Sequence, residues 1–579
     1  MTTTAAASGM PGVATPSVAT PGADMDLRAH WRGRERYTVF DTAYDDAAVR
    51  ALQADWRADP ERPARLHIVA LTSTLQPGFH RIPQDDPRLS LTLLAMPLEP
   101  ALAQLGAQPD AVFVAKVAGT GFARPLARLV ASQARLYASG LDQEQRAALA
   151  AQGFVFSGDG EAVFASRKPR LPVPPTPERR ALIVGAGLAG AAAAASLCAR
   201  GWLVTLVEHH PAPAMEASGN LAGIFMPLLS RDDNIPTRLT RAAYLYALRA
   251  WRQLGGIGGA IEGQACGVLQ LARDANHAEV ARAIDRAGSY PPEFARWLER
   301  EQAEALLGLP APDGAWLFAQ GGWARPGSVC EAMLASCGER LTRRFGVGPV
   351  RLERAGEQWQ ARTEDGAVVA QAPTAVLASG AGARHLAQSA DLPLAALRGQ
   401  VTHLPSGAAP NLPLVLCREA YLTPAAGGIV CAGATYDLDD DPSLRASSQQ
   451  ENIARLRALV SDPLAAEGAP LAGRVGFRCV APDRLPLVGR LPDVAAAGAT
   501  ERLRELARHP GLHCLLGYAS RGLIWAPLAA ELLAAQLEGE PLPLETALVD
   551  ALDPARFVLR ARRPGRALQG LIASMDQPS

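Results

Sequence analysis

The sequence predicts an α/β protein in which a nucleotide-binding domain begins well inside the chain. Three observations predict it. Short apolar runs alternate with helical stretches before residue 168, and a proline-rich segment follows them. Beyond that segment come a strand, a glycine-rich turn, a helix and a second strand. With 579 residues, 48% hydrophobic and 20% charged, the chain can form several domains with ordinary globular cores.

Charge and cysteine usage narrow the class of protein. Lys plus Arg and Asp plus Glu number 57 each, so no net charge draws the whole chain to DNA or to a membrane. The eight cysteines form no C-x-x-C pair and no Cys/His cluster, so we predict no metal site and reduced thiols in a cytoplasmic protein. The most apolar stretch is shorter than the roughly 20 residues that a membrane span needs. The oligomeric state stays open, and a monomer is compatible with the sequence.

Composition divides the chain. Residues 1–35 begin with an Ala/Thr/Pro/Gly-rich stretch without a secretory signal and are predicted to be a disordered tail. Five prolines lie in "KPRLPVPPTPERR", which makes 169–178 a linker between a domain at 36–168 and a second domain at 179–563. Residues 564–579 are predicted to be a second tail. In the first domain, strands are predicted in "RYTVFDTAY", "ARLHIVALTS", "LSLTLLAM" and "DAVFVAKV", with a hairpin in "GFVFSGDGEAVFASRK".

The second domain opens on "RRALIVGAGLAGAAAAASLCARGWLVTLVEHH", a nucleotide-binding pattern. Gly185 makes the tight turn, Gly187 lets the backbone approach a pyrophosphate, and Gly190 lets the helix pack on the strand. The pyrophosphate then lies against free N–H groups at the helix start. Glu208 ends the second strand, where it can accept hydrogen bonds from a ribose and would repel a phosphate, which disfavours NADP.

Two later segments favour FAD over NAD. "TAVLASGAGARHLA" is a strand followed by Gly380, the form of a strand that packs beside the nucleotide. "GLHCLLGYASRGLIWAPLAAELL" is a strand, a turn from Gly517 to Gly522 that includes Ser520, and a helix start at Leu523. N–H groups at such a helix start can stabilise negative charge on a reduced flavin, whose ring lies far from its adenosine.

With these motifs in place, the carboxyl part of the chain resembles the FAD-dependent half of the MnmC family, bifunctional enzymes of tRNA 5-methylaminomethyl-2-thiouridine biosynthesis, within the glycine oxidase and D-amino acid oxidase group. The resemblance rests on "EASGNLAGIFMPLLS", "RAAYLYALR", "GGWARPGSVCEAML", "LRGQVTHLP", "YLTPA", "QQENIARL", "GRVGFRCVAPDRLPLVG" and "GYASRGLIWAPLAAELLAAQL". It implies a Rossmann-like FAD-binding part interleaved with an α+β substrate part.

The resemblance also implies the reaction and its residues. That half of the family oxidises carboxymethylaminomethyl-uridine at the tRNA wobble position to aminomethyl-uridine and releases a two-carbon acid. A carboxylate near a flavin is held best by a guanidinium. Arg478 stands where glycine oxidase-like enzymes place this arginine, and we expect Arg521 as a second contact and Tyr421 in the substrate pocket. Asn220 and Gly223, in "SGNLAGIF", are expected near the flavin.

The family carries a methyltransferase domain before this half, and residues 36–168 have the order and length of a shortened one. Two positions depart from the pattern. No glycine follows Phe40, where the S-adenosylmethionine loop is expected, and Ala115 and Lys116 replace an expected acid after "FV". We therefore predict a degenerate domain without methyltransferase activity, which serves as a scaffold or a tRNA docking surface.

Two other functions remain compatible with the sequence. A free amino acid oxidase of the glycine oxidase type would use the same arginine and FAD motifs, but it needs a small closed pocket, whereas a wobble uridine needs an open, basic rim. A binding module with a purely structural FAD is the third hypothesis, and Arg478 and the two flavin turns argue against it. The basic run "RFVLRARRPGR" from Arg556 could serve a tRNA or could simply be a solvated face.

Overall fold

A computed structural model describes residues 27–115, 117–165, 176, 178–460 and 471–562. Its contacts divide the chain into two compact units. The first unit comprises residues 1–71 and 108–171, and the second comprises residues 72–107 and 172–579. The linker and domain bounds drawn from the sequence stay predictions, because most of 169–178 and all of 564–579 lie outside the described residues. The division differs from them most in residues 72–107, which group with the second unit.

The elements up to residue 165 alternate between helix and strand, as the apolar pattern predicts. In chain order they are α1 (Leu27–Trp31), β1 (Arg36–Asp41), α2 (Asp46–Ala58), β2 (Arg65–Leu71), β3 (Gly78–Ile82), β4 (Leu89–Ala95), α3 (Leu98–Gln104), β5 (Ala111–Ala115), α4 (Ala123–Leu129), β6 (Arg135–Ser139), α5 (Gln143–Ala151), β7 (Phe154–Phe156) and β8 (Glu161–Phe164). The predicted strands and the closing hairpin are present, whereas β3 and β6 were not predicted.

The first unit contains a sheet in the order β2-β1-β5-β6-β8-β7. Strands β2, β1, β5 and β6 run parallel, and the β7–β8 hairpin adds antiparallel pairs. The unit begins earlier than expected. The predicted tail at 1–35 overlaps α1, where Leu27 and Trp31 lie four residues apart on one helical face and are both buried. Trp31 Nε1 donates a hydrogen bond to Asp59 Oδ2 at 2.7 Å. Residues 27–35 are therefore folded, and the rest of the predicted tail lies outside the described residues.

Residues 72–107 carry the antiparallel hairpin β3–β4 and α3, and they pack within the second unit. Arg81 on β3 is buried, and its Nε lies 3.4 Å from Glu531 Oε1. The Pro77 carbonyl accepts a 2.8 Å hydrogen bond from Arg241, and the Gly106 carbonyl accepts one of 2.9 Å from the Leu542 backbone. Hydrophobic patterning could not reveal this assignment, because it marks which residues are buried and not what covers them.

The second unit continues with two sets of elements. Up to residue 344 they are β9 (Arg180–Val184), α6 (Leu188–Ala199), β10 (Leu203–Val207), β11 (Gly223–Phe225), α7 (Ile235–Gln253), β12 (Gly263–Gln264), β13 (Val268–Leu271), α8 (Ala275–Arg286), β14 (Arg296–Leu298), α9 (Arg300–Leu307), β15 (Ala315–Phe318), β16 (Gly322–Ala324), α10 (Pro326–Ala335) and β17 (Leu341–Arg344). The others are β18 (Arg351–Ala355), β19 (Gln358–Arg362), β20 (Val368–Ala372), β21 (Thr374–Leu377), β22 (Ala395–Pro405), β23 (Val415–Cys417), β24 (Tyr421–Leu422), β25 (Ile429–Gly433), α11 (Ala446–Val460), β26 (Ala472–Val480), β27 (Leu487–Pro492), β28 (Arg508–Leu516), α12 (Gly522–Glu538), α13 (Thr546–Leu552) and α14 (Arg556–Ala561).

Two large sheets organise this unit. One has the order β17-β10-β9-β21-β28-β27, with the first five strands parallel and β27 antiparallel at the edge. The other has the order β14-β15-β13-β23-β24-β25-β22-β26 and is antiparallel except between β13 and β23. Their strands alternate along the chain, which confirms the predicted interleaving of a nucleotide-binding part with a substrate part.

The core lies where α6, α7 and α12 pack together. Helix α6 presents Ala191 to Ala194 as a buried run of small side chains, which permits close approach of neighbouring backbones. Helix α12 is apolar on all sides and almost wholly buried, as expected for a helix enclosed in a large domain. Both α6 and α12 begin at the same edge of the parallel sheet, and their first residues form part of the site.

Candidate active site

A cavity of about 920 Å³ lies in the second unit, where the parallel strands end. Residues that follow β10, β9, β21 and β28 line it, and these four strands are consecutive neighbours in the sheet. Neighbouring strands lie about 4.8 Å apart, so the cavity crosses roughly 14 Å of sheet edge. The carboxyl edge of a parallel sheet is where open α/β folds bind ligands. The width suits an extended dinucleotide.

The turn between β9 and α6 brings the chain closely past its neighbours. Gly185 has a φ of +106°, and a Cβ on it would lie 2.6 Å from the Ala378 carbonyl oxygen. A Cβ on Gly190 would lie 1.8 Å from the Gly185 carbonyl oxygen, so only glycine fits there. Gly187 caps the helix and lines the cavity, whereas Gly190 lies behind the turn. These placements agree with the tight turn predicted at Gly185 and the close packing predicted at Gly190, whereas the approach of a pyrophosphate to Gly187 stays a prediction.

Glu208 lies just beyond β10 and faces the same turn. Its Oε2 accepts a hydrogen bond of 2.6 Å from the Ala186 backbone, and its Oε1 accepts one of 3.0 Å from the His210 backbone. Each carboxylate oxygen has a second lone pair, so the group can still accept hydrogen bonds from a ribose. The structure thus places this carboxylate on the cavity wall and locks its orientation.

The remaining predicted cofactor residues come from distant parts of the chain and meet on the same wall. They are Asn220, Gly223, Gly380, Gly517, Ser520, Gly522 and Leu523. Gly517 has a φ of +73°, which sharpens the turn into α12. Gly223 does not have a positive φ, and a Cβ on it would lie 2.8 Å from Leu523 Cδ1, the end of a flexible side chain that can move aside. Of all the predicted site residues, Gly190 alone does not line the cavity.

Arg478, on β26, projects into the cavity without an acidic partner among the described residues. Its Nη1 donates to the Thr435 carbonyl at 3.3 Å, and its guanidinium lies 4.5 Å from the centre of the Tyr436 ring. The nearby acid Asp483 is engaged elsewhere, because it pairs with Arg556 and Arg560. The charge of Arg478 is therefore available for an anionic ligand.

Gly399 makes room for this arginine. It lies on β22, opposite β26, and a Cβ there would lie 1.9 Å from Arg478 Nη1. We expect Gly399→Ala to leave the fold and FAD binding intact, because the flexible guanidinium can move aside. Displacement of a substrate-holding group by about 1 Å costs up to roughly a hundredfold in rate. We therefore expect Gly399→Ala to oxidise the substrate up to about a hundredfold more slowly than the wild type. Steady-state oxidation rates of this variant and of the control Gly407→Ala, whose added Cβ meets no atom within 4 Å, test the expectation. Wild-type rates in Gly399→Ala would contradict it.

Arg521 and Tyr421 also line the cavity. The Arg521 guanidinium has no hydrogen bond and no ion pair with any residue that the structure describes, and burial lowers its pKa below the usual value. Burial raises the pKa of the Tyr421 hydroxyl, so Tyr421 is a neutral wall residue. Arg478 and Arg521, which have no carboxylate partner among the described residues, thus reach one cavity, which Arg384 and Arg418 also line. Such an arrangement costs free energy unless an anion binds there.

Three further cavity residues were not predicted. Ser218 Oγ accepts a hydrogen bond of 3.1 Å from the Leu188 backbone at the start of α6. Tyr436 lies beside Arg478, and Arg384 follows β21. Ser218 lies in the quoted stretch "EASGNLAGIF", so proximity to Asn220 was a usable signal. The local sequence "GATYDLDDD" gives no periodicity that marks Tyr436 as a cavity residue.

The basic run from Arg556 proves to be engaged inside the unit as far as the structure describes it. Arg556 and Arg560 both bind Asp483, and Arg562 donates to the backbone carbonyls of Ala497 and Gly498. The latter part of the run lies beyond the described residues. These three side chains stabilise the fold and are not a free surface for a polyanion.

Comparison with known proteins identifies the chain. A model of the FAD dependent oxidoreductase family matches residues 180–536. The bifunctional protein MnmC of tRNA 5-methylaminomethyl-2-thiouridine biosynthesis from Azoarcus sp. strain BH72 is 41% identical over 594 residues, which cover 94% of this chain and 93% of that protein. The chain belongs to the MnmC family. The MnmC protein from Burkholderia thailandensis is 40% identical to this chain over 608 residues, which cover 93% of each protein.

Solved structures agree with this MnmC-family assignment. Glycine oxidase from Geobacillus kaustophilus superimposes with a TM-score of 0.53 at 21% identity, covering 65% of this chain and 99% of the oxidase. Iminodiacetate oxidase from Chelativorans sp. BNC1 gives a TM-score of 0.51 at 25% identity, covering 63% and 96%. The predicted fold class, the FAD cofactor and the oxidoreductase activity are confirmed.

The residues of the cavity fit FAD. The glycine turn at the start of α6 would hold the pyrophosphate, Glu208 the ribose, and the turn into α12 the flavin. When bound, FAD supplies the acceptor for a hydride. Which atoms each residue touches stays a prediction. No described helix is long and apolar enough to cross a membrane.

Proposed function

We propose that this MnmC-family chain oxidises the carboxymethylaminomethyl group of a wobble uridine in tRNA. Oxidation removes a hydride from the carbon between the amine and the carboxylate and a proton from the amine, so that a C=N bond forms, and bound FAD would supply the hydride acceptor. Water adds to that bond, and its hydrolysis gives aminomethyl-uridine and a two-carbon aldehyde acid. Because tRNA is the substrate, we place the reaction in the cytoplasm.

The pair of available arginines carries the proposal. Arg478 has a single backbone carbonyl and a ring for partners, and Arg521 has no polar partner among the described residues. A bidentate, charge-assisted pair between one guanidinium and the substrate carboxylate fixes the adjacent CH₂ group. Fixing that carbon against its acceptor is the main task that the protein has to perform.

Two observations favour a substituted glycine over free glycine. Iminodiacetate, the compound after which one structural relative is named, is a secondary amine with carboxymethyl groups, which is the chemistry of the wobble side chain. The cavity wall also reaches the surface, since Tyr436, Glu419 and Asp440 line it and are exposed, although the two acids among these three do not form the basic rim expected for a tRNA substrate. A cavity that opens to solvent can admit a group that is attached to a macromolecule.

Anaerobic mixing tests the proposal. The purified holoenzyme is mixed with tRNA that carries carboxymethylaminomethyl-uridine, and bleaching of the flavin absorbance is followed while the nucleosides are analysed. We expect bleaching and conversion to aminomethyl-uridine. Bleaching by free glycine and not by the tRNA would establish the amino acid oxidase instead. Bound FAD with no bleaching by either substrate would favour the binding module.

We further propose that the first unit has lost methyl transfer. Strands β1 and β5 are neighbours in its sheet, and the chain continues from β1 to β2 on one side and from β5 to β6 on the other. The carboxyl ends of two such strands are the place where open α/β sheets bind ligands. Thr42 follows β1 there, and its Oγ1 accepts a hydrogen bond of 2.9 Å from the Ala115 backbone. Lys116 lies outside the described residues. The bridge across the two strand ends supports the loss.

Calorimetric titration of the full chain with S-adenosylmethionine checks this. We expect no saturable binding, because the loop after Phe40 has no glycine and the Thr42 hydroxyl already joins β1 to β5. Saturable binding at micromolar affinity, which corresponds to about 8 kcal/mol, would contradict the loss of this site.

A further inference from the structure

Tyr436 is an exposed aromatic residue at the cavity wall whose role the reaction does not explain. It lies in the loop after β25, and 53% of its surface is exposed although Arg478 covers one face of its ring. Tyrosine is intermediate in burial among residue types, and a half-exposed ring beside an active site offers a flat apolar face to a ligand. The chemistry on the carboxylate makes no use of that face.

The loop that carries Tyr436 is held firmly. Arg398 is completely buried beneath it and donates hydrogen bonds of 2.7 Å to the carbonyls of Asp441 and Ser443. Backbone hydrogen bonds join Arg398 and Asp437 in both directions. Arg445 binds both carboxylate oxygens of Asp439 at 2.7 Å. A loop with this many charged hydrogen bonds keeps its exposed ring in place before a ligand arrives.

We propose that Tyr436 is a stacking platform for the base of the modified uridine or of its neighbour in the anticodon. The inference rests on the proposed function. Single-stranded RNA is recognised largely by stacking of unpaired bases on aromatic side chains. A fixed ring loses little conformational freedom when a base stacks on it. Because Arg478 covers one face of this ring, the base would stack on the other face, and its 5-substituent would pass the ring edge to reach the guanidinium that binds the carboxylate.

The alternative role for Tyr436 is to hold Arg478 alone. The two roles differ in their ligands. A small carboxylate such as glycolate needs only the arginines, whereas an anticodon stem-loop needs the platform as well. Glycolate binding is read from the change in flavin absorbance, and binding of a fluorescent stem-loop that carries carboxymethylaminomethyl-uridine is read from anisotropy. Both readouts use the holoenzyme and require no turnover.

Tyr436→Ala is expected to raise the Kd for the stem-loop about 5- to 150-fold, the range for loss of one base-stacking contact. The Kd for glycolate should change less than about threefold. Tyr436→Phe keeps the ring and should restore most of the affinity, whereas Tyr436→Leu keeps the bulk and should not. Leu438→Ala, in the same loop, removes an exposed apolar side chain that does not line the cavity and is the matched control.

If Tyr436→Ala loses affinity equally for glycolate and for the stem-loop, the stacking platform is overturned and Tyr436 is assigned to positioning Arg478. Unchanged stem-loop affinity in both Tyr436→Ala and Tyr436→Leu would also overturn it, and would leave the proposed function standing if the wild-type flavin is still bleached by tRNA. A wild-type enzyme that neither binds the stem-loop nor is bleached by it would overturn both proposals.

Discussion

Replacement of Arg478 by alanine is expected to leave FAD bound and to slow flavin reduction by modified tRNA at least about a hundredfold. A hydrogen-bonded pair with a charged group contributes roughly 1.5 to 3 kcal/mol, and each 1.36 kcal/mol is a factor of ten. Loss of alignment of the reacting C–H adds to that. Anaerobic stopped-flow measurement of flavin bleaching gives the rate directly.

Two further variants make the Arg478 result specific. Arg478→Lys should recover only part of the rate, because an ammonium group cannot reproduce the two parallel hydrogen bonds of a guanidinium. Arg354→Ala, at an exposed arginine on β18 that does not line the cavity, should behave as wild type. Wild-type bleaching by Arg478→Ala would exclude this residue from holding the substrate carboxylate.

Gly187→Val is expected to yield a protein without flavin. Gly187 begins α6 at the cavity wall, and even a Cβ there would lie 3.0 Å from Ser218 Oγ, which holds the Leu188 N–H. The branched side chain must then extend into the space where the pyrophosphate approaches the backbone. The absorbance spectrum of the purified variant, before and after mixing with FAD, checks this.

The matched change for this experiment is Gly407→Val, outside the cavity. A Cβ on Gly407 meets no atom within 4 Å, so this variant should purify yellow, like the wild type. A yellow Gly187→Val protein with the wild-type flavin spectrum would contradict the assignment of the turn. A colourless wild-type protein that fails to take up FAD would contradict the whole cofactor site.

Much of the nucleotide site could be predicted because each of its residues has a local cause. Glycine is required at Gly190 by a contact within the turn, and at Gly185 by a contact with the end of one adjacent strand. Glu208 simply follows the next strand along the chain. Such requirements leave a short, regular pattern in the sequence. Arg478 and Arg521 were found through resemblance, since a single arginine in a strand or turn has no pattern of its own.

What could not be predicted depends on distant partners. Tyr436 gains its role from Arg478 and from the buried Arg398, which are about forty residues away in either direction. The short strand β6 has only five residues of mixed composition, RLYAS, and becomes a strand because β5 and β8 flank it. The segment 72–107 continues the preceding α/β pattern without a break. Its membership in the second unit depends on contacts with residues far along the chain.

The packing of residues 72–107 within the second unit limits how the protein can be shortened. Arg81 belongs to a buried group of charges in which Arg200 binds Glu531 and Glu540, each at 2.8 Å. A chain that started at the proline-rich linker would lose Arg81, one of the two arginines that contact the Glu531 carboxylate. An incompletely compensated buried charge costs about 3 to 5 kcal/mol, a large part of the stability of a domain. Gene truncation is thus no simple route to a free-standing oxidase.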